Sequence, residues 1–289
     1  MTRCGIVVVT HNSAQTLAWC LAPLLSWDCS VVIVDSGSND IGYLNDLIGV
    51  PNVKVILKHN IGFCCANNIG ISELGRCEFI LLLNPDARVE VPCLDGAIAL
   101  LEASGNEKVG AVSVPLVRFD WVNRKPMGVY DSLGITMRWY GRWIDKGGGD
   151  PLESEDVSGT TDIEAACGAF MLLRRAAIED CSLNGVVGFD PSFVMYKEDI
   201  ELSLRLRRRG WKIVRIGDHS AYHCRGWQPA RKRAPGWARE LSARNDVVLA
   251  FRYRWSVLPF AVAKWAWVNV VERVLYYTAG SKLGPFGCT

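Results

Sequence analysis

The sequence predicts an α/β fold: a mainly parallel, twisted sheet flanked by helices, followed by a helical C-terminal extension. Through the first half, short apolar runs alternate with helix-length amphipathic segments, the pattern of βαβ units in a parallel sheet. The chain has 289 residues, 49% hydrophobic and 21% charged. That size fits one large α/β domain or a domain with a small appendage, because a single core stops growing near roughly 250 to 300 residues. After residue 224 the alternation gives way to a basic, tryptophan-rich stretch.

Taken in order, Gly5-Ile6-Val7-Val8-Val9 reads as a buried strand, and Ser13 is placed to cap a helix carrying Leu17, Leu21 and Leu24. Val31 to Val34, Val53 to Leu57 and Phe79 to Leu83 read as the next strands, with helices near Leu44 to Ile48 and over Phe63 to Leu74 between them. A helix from Pro92 and a strand over Val109 to Val114 follow. From about Leu116 to Thr161 the periodicity fails in Gly-, Trp- and Arg-rich sequence that includes Gly147-Gly148-Gly149, and a long surface excursion over a site is expected. Regularity returns at Ala165 to Leu173, in a helix over Lys197 to Arg209 and in a strand over Lys212 to Ile216. The expected division is a catalytic domain over 1–224, its donor half ending near 115 and its acceptor half beginning at 116, with the extension over 225–289.

A formal charge of +2 gives the molecule no overall electrostatic footprint for nucleic acid. The basic charge is local: between Arg225 and Arg273, ten Lys or Arg face only Glu240, Asp246 and Glu272. Eleven cysteines, with neither a C-x-x-C pair nor a Cys/His zinc spacing, read as reduced thiols of a cytoplasmic protein. Met1 to Val9 is too short an apolar run for a signal peptide. Trp255 to Val271 carries Pro259 and Lys264 and falls short of the ~20 residues that span a bilayer.

Ligands of open parallel sheets bind beyond the carboxyl ends of the strands. Each early strand here ends in a polar cluster: Thr10-His11-Asn12-Ser13, Asp35-Ser36-Gly37-Ser38, Lys58-His59-Asn60 and Asn84-Pro85-Asp86. Each alone has a plainer reading, since Ser13, Ser38 and Asp40 are good caps and Asn-Pro-Asp is good turn chemistry. Neither G-x-G-x-x-G after the first strand nor G-x-x-x-x-G-K-[ST] occurs, so a carboxylate-held metal is the expected phosphate partner. Asp86 is the candidate, a hard oxygen ligand for Mg²⁺ or Mn²⁺. Glu198 and Asp199 form a second carboxylate site at the start of a helix, where acidic residues also suit the macrodipole and Glu201 can pair with Arg205. His223 completes the set, although a single His is more often a packed residue than a ligand.

These residues resemble the inverting glycosyltransferases of family 2, which have the GT-A nucleotide-diphospho-sugar fold. The matching motifs are Val9-Thr10-His11-Asn12-Ser13, Val34 to Asp40, Asn60-Ile61-Gly62-Phe63 with Asn67-Asn68-Ile69-Gly70, Leu83 to Ala87, Gly168 to Leu172, and Lys197-Glu198-Asp199 with Leu204-Arg205 and Gly210-Trp211. They run in the family's order over about residues 4–224. Asn-Pro-Asp and Ala243-Arg244-Asn245 look like the branch of bacterial rhamnosyltransferases of polysaccharide and O-antigen biosynthesis.

The resemblance implies that Thr10, Asn12, Asp35, Ser36, Asn60, Asn67, Asn84 and Asp86 bind the donor, with Asp35 reading the imide N–H of uracil or thymine. It implies Asp86 and His223 as metal ligands, Asp199 as catalytic base beside Glu198, and Gly168, Ala169 and Trp227 on the acceptor side. The implied reaction moves a sugar, rhamnose favoured, from a dTDP- or UDP-linked donor to a hydroxyl of a glycan or polyprenyl-diphosphate-linked acceptor. A UDP-hexose donor is the alternative. His11 stands where tyrosine is usual, Ser36 where asparagine is usual, and Asn84 replaces the first acid of D-x-D, which leaves a leaner metal site. A nucleotidyltransferase would need a cationic loop after the first strand, which Thr10 to Ser13 lacks, and a sugar-binding module would not need both Asp86 and the Glu198-Asp199 pair. The resemblance further implies peripheral contact with the inner face of the cytoplasmic membrane through about 225–275, where Arg231-Lys232-Arg233 and the tryptophans stand. Simple packing of those tryptophans on the catalytic domain is the competing expectation.

Overall fold

The computed structural model describes residues 3–224 and 235–272. Strands β1 (Cys4–Thr10), β2 (Ser30–Ser36), β3 (Val53–Lys58) and β4 (Phe79–Leu83) run parallel and adjoin in the order β4-β1-β2-β3. Every residue of β1 and β4 is buried. Both faces are covered, which is why these strands read as unbroken apolar runs, and each fully buried Val, Leu or Ile contributes about 1.5–3 kcal/mol.

Helix α1 (Leu17–Leu21) is one short turn. Ser13 does not cap it as expected: the Ser13 carbonyl accepts the N–H groups of Thr16 and Leu17, while its hydroxyl turns back to His11. The helix expected near Leu44 is a 3₁₀ segment, Gly42–Leu47, opened by Asp40 Oδ1 on the Gly42 N–H at 2.8 Å. Helix α2 (Phe63–Glu73) packs on β1 at Gly70, where a Cβ would lie 2.3 Å from Val7 Cγ1.

Beyond β4 the chain forms β5 (Ala87–Arg88), α3 (Val91–Glu102) and β6 (Val109–Ser113). The stretch from Leu116 to Thr161 is not an irregular excursion. It holds β7 (Leu116–Asp120), β8 (Lys125–Ser132), β9 (Ile135–Met137), β10 (Trp143–Asp145) and β11 (Thr160–Asp162). Register shifts in the β7–β8 ladder and the exposed first half of β8 erase the two-residue period that would have announced them.

The second half adds β12 (Phe170–Arg174), α4 (Arg175–Asp180), α5 (Glu198–Arg208), β13 (Lys212–Ile216) and β14 (Ala221–His223). The main sheet has eight strands in the order β11-β13-β6-β12-β4-β1-β2-β3, with β12 antiparallel to both neighbours. A four-stranded sheet, β5-β14-β7-β8, stands beside it. The extension forms α6 (Gly236–Tyr253), a 3₁₀ turn over Trp255–Val257, α7 (Leu258–Ala266) and a π turn over Trp267–Val271. Leu249 of α6 belongs to the main hydrophobic core.

Candidate active site

The parallel strands bring three of the polar clusters to one rim, and hydrogen bonds stitch them together. Thr10 Oγ1, Ser38 Oγ and Tyr43 OH all donate to Asp35 Oδ2, at 2.9, 2.5 and 2.9 Å, while the Ser38 N–H donates to Oδ1 at 2.9 Å. Burial alone would push the Asp35 carboxyl up. The donors from Ser38, Tyr43 and Thr10 outweigh it and hold the group below the usual carboxylate range. Asp35 thus lies beneath the rim, 1% exposed. Asn12 donates its N–H to Ser38 Oγ at 2.7 Å and accepts the Asn39 N–H at 2.8 Å. Ser36 Oγ accepts the Ile61 N–H at 3.1 Å, and the Asn60 side chain turns onto the Gly62 N–H at 3.2 Å. Asn67 is buried in α2, donating to the Phe63 carbonyl at 3.0 Å.

The fourth cluster faces a strand from far along the chain. In the antiparallel β14–β5 pairing His223 lies opposite Ala87, and the Cys224 N–H donates to the Asp86 carbonyl at 2.9 Å. His223 Nε2 consequently stands 3.4 Å from Asp86 Oδ1, and Nδ1 lies 2.8 Å from Asp131 Oδ2. Burial would lower the His223 pKa, but the Asp86 and Asp131 carboxylates push it up to about 9. Burial likewise raises Asp86, and His223 more than offsets it, leaving that carboxyl below its ordinary value.

Among the described residues no group of three or more His, Cys, Asp or Glu side chains is arranged to hold a metal. Asp86 and His223 would supply two ligands, too few for a closed site and enough for an ion whose remaining positions a substrate fills. Ligands ~2.1 Å from an octahedral ion stand about 3 Å apart when adjacent, close to the Asp86–His223 separation. Asn84 Oδ1, in the same turn as Asp86, is a buried oxygen without a hydrogen-bond partner. The residues present therefore fit a divalent ion.

The carboxylate pair of α5 joins this turn through two adjacent residues. Gly168 N–H donates to Asp199 Oδ2 at 2.9 Å, and Asn84 N–H donates to the Ala169 carbonyl at 3.1 Å. A Cβ on Gly168 would lie 3.3 Å from Asp199 Cβ, so glycine permits the approach. Glu198 is buried, and its carboxyl is pushed up by burial and then by the Asp199 charge. Asp199 is half-buried. The two neighbours thus differ in environment: burial favours the neutral form of the Glu198 carboxyl, whereas Asp199 is only half-buried and accepts the Gly168 N–H. Glu201 is occupied below by Arg205 at 3.0 Å, the predicted pairing.

Sequence reading missed Asp131, the buried partner of His223, which Arg118 Nε also approaches at 3.3 Å. It missed Tyr43 on Asp35, and Asn68, whose amide both donates to and accepts from the Phe189 backbone at 2.8 Å. Trp227 and Arg231-Lys232-Arg233 lie outside the described residues.

The comparisons bear on family and fold. Over 253 residues, 78% of each chain, the sequence is 25% identical to an N-acetylglucosaminyl-diphospho-decaprenol L-rhamnosyltransferase of Mycobacterium tuberculosis. In fold it is similar to GalNAc-T7, solved with UDP, GalNAc and Mn²⁺, with a TM-score of 0.62 at 17% identity, covering 99% of this chain and 59% of that one. It is also similar to S. aureus TarS 1-349, with a TM-score of 0.55 at 16% identity over 97% of this chain and 76% of that one. A mannosyltransferase of Pyrobaculum calidifontis, solved with GDP-Man and Mn²⁺, gives a TM-score of 0.55 at 17% identity, 98% of this chain and 76% of that one. The profile described as "Glycosyl transferase family 2" matches residues 5–182, more than half of the sequence, and the chain belongs to that family.

Proposed function

We propose that this glycosyltransferase works by inversion. On this reading it moves L-rhamnose from dTDP-L-rhamnose to a hydroxyl of a polyprenyl-diphosphate-linked saccharide. The observation that carries the chemistry is the Asp199 carboxylate, which accepts the Gly168 N–H at 2.9 Å one residue before the Ala169 carbonyl that holds Asn84 of the Asp86 turn. Asp199 takes the acceptor hydroxyl proton while that oxygen attacks the anomeric carbon. The bond to the nucleoside diphosphate breaks, its electron pair leaves with the diphosphate, and no covalent sugar–enzyme intermediate forms. Asp86 and His223 would hold the divalent ion, Mg²⁺ or Mn²⁺, which when bound offsets the charge on the leaving diphosphate. Asp35, presented from beneath the rim, favours a pyrimidine base with an imide N–H.

The rhamnosyl donor and lipid-linked acceptor rest on the mycobacterial relative's name. A cleft of about 430 Å³ supports the acceptor class. It opens beside Tyr196, three residues before Asp199, and its mostly apolar lining, with Ala238, Trp267 and Val268, also carries Ser242 and two cations, Arg239 paired with Glu272 and Lys264 paired with Asp246. No helix among the described residues is long and apolar enough to cross a membrane. Peripheral contact suits the surface instead: Trp255, Trp267, Phe251 and Val270 are all more than half exposed, and Trp139, 81% exposed, packs edge-on against Phe260 of α7.

Incubating the protein with Mn²⁺, dTDP-L-rhamnose and an N-acetylglucosaminyl-diphospho-polyprenol tests the reading. Release of dTDP with a product of inverted anomeric configuration is expected. Turnover with UDP-hexoses alone would replace the donor, and retention of configuration would overturn the mechanism.

A further inference from the structure

The backbone leading into α5 is held in a conformation that its residues disfavour. Val194, Tyr196 and Lys197 have φ of 61°, 67° and 67°. A β-branched residue at positive φ is an outlier, and such a geometry persists only where its surroundings enforce it. Glu198 and Asp199 follow directly.

The enforcing contacts come largely from α6. Asn245, fully buried, directs its amide nitrogen at three carbonyls, those of Phe193 at 3.1 Å, Met195 at 3.1 Å and Tyr196 at 2.8 Å. Arg244 Nη1 donates to the Ser192 carbonyl at 2.8 Å, and the Cys64 N–H of α2 donates to that of Val194 at 3.0 Å. Each carbonyl from Ser192 to Tyr196 therefore meets a donor outside the segment. Lys197 Nζ reaches the Ser242 carbonyl at 3.1 Å and pairs with Asp246.

We propose that Asn245 is a positioning residue for sugar transfer, gripping residues 193–196, of which Val194 and Tyr196 stand at positive φ, and so setting where α5 begins and where Asp199 points. The proposal rests on the reading of Asp199 as base and deepens it. It also gives Ala243-Arg244-Asn245 a task that sequence alone did not assign. Being an amide, Asn245 has two N–H groups to share among the three carbonyls, and no aspartate could replace it, because a carboxylate would turn acceptors toward acceptors.

The test compares Asn245→Asp and Asn245→Ala with the parent enzyme in thermal melting, dTDP and UDP calorimetry, and steady-state transfer. The expected result is nucleotide affinity within about twofold, donor KM within about threefold and kcat lowered at least about tenfold. Adding Val194→Gly, which removes the positive-φ penalty at that residue, should recover at least about threefold of the kcat lost by Asn245→Ala. A folded Asn245 variant with kcat within about twofold of the parent overturns the proposal, as does a parallel fall in nucleotide affinity and kcat. If neither variant folds, Val194→Gly should restore a folded Asn245→Ala chain, and failure to do so assigns Asn245 to core packing and overturns the proposal. Asp199→Asn assayed alongside separates the two claims: turnover near that of the parent removes the base, whereas an inactive Asp199→Asn beside a fully active Asn245→Asp removes only the positioning role.

Discussion

Asp199 Oδ2 accepts the Gly168 N–H at 2.9 Å, and the next residue, Ala169, holds Asn84 by its carbonyl at 3.1 Å. Base candidate and the Asn84-Pro85-Asp86 turn are therefore tied to consecutive residues just ahead of β12. A shift at either end is felt at the other, which makes the absence of a side chain at Gly168 a functional matter. Gly168→Ala should keep the fold and nucleotide binding but lower kcat by about tenfold or more, since a small displacement of a reacting group is costly. Transfer assays check this, and unchanged kcat would mean that the contact is only structural.

Glu198 and Asp199 should respond differently to amide substitution. A carboxyl whose folded pKa is raised supports the fold fully below its ordinary value and loses that support as pH rises through the raised one. Glu198→Gln mimics the protonated form. Its melting temperature relative to the parent should climb between about pH 5 and about pH 9, and its turnover near neutral pH should far exceed that of Asp199→Asn. A pH-independent difference in melting would contradict the burial argument.

Asp131 orients His223 from behind, as the outer carboxylate of a carboxylate–histidine–metal arrangement does. Asp131→Asn should weaken Mn²⁺ binding by about 10- to 100-fold while leaving UDP affinity in the absence of metal unchanged. Titration of Mn²⁺ followed by its electron paramagnetic resonance signal reads this without an activity assay. Equal Mn²⁺ affinity in the two proteins would detach Asp131 from the metal.

The exposed aromatics on the α7 side, together with the half-exposed Arg254 and Lys264, predict binding to phosphatidylglycerol-containing liposomes whose cationic share weakens with salt. Trp139→Ser combined with Trp267→Ser should shift at least half of the sedimented protein to the supernatant, about the effect of removing two interfacial anchors. Parent protein that stays in the supernatant at low salt would assign this face to protein contact.

What was legible in the sequence follows from the kind of burial each segment has. β4 and β13 occupy the expected residues, and β1 and β2 depart by a residue or two, because strands covered on both faces announce themselves as apolar runs, while β3, an edge strand with no buried residue, departs by one. The polar ends of those strands were equally plain. Asp131 was not, because its meaning depends on β7, β8 and β14 bringing it to His223, 92 residues away. The reach of Asn245 to carbonyls 49 to 52 residues earlier leaves no local trace either.

The most direct test of the account is Asp199→Asn, an isosteric change that keeps an acceptor for the Gly168 N–H and removes the proton acceptor. Donor and Mn²⁺ affinities measured by calorimetry should match the parent, while single-turnover transfer falls by several orders of magnitude, the difference lying in the chemical step alone. Transfer within about tenfold of the parent would contradict the assignment of Asp199 as the base.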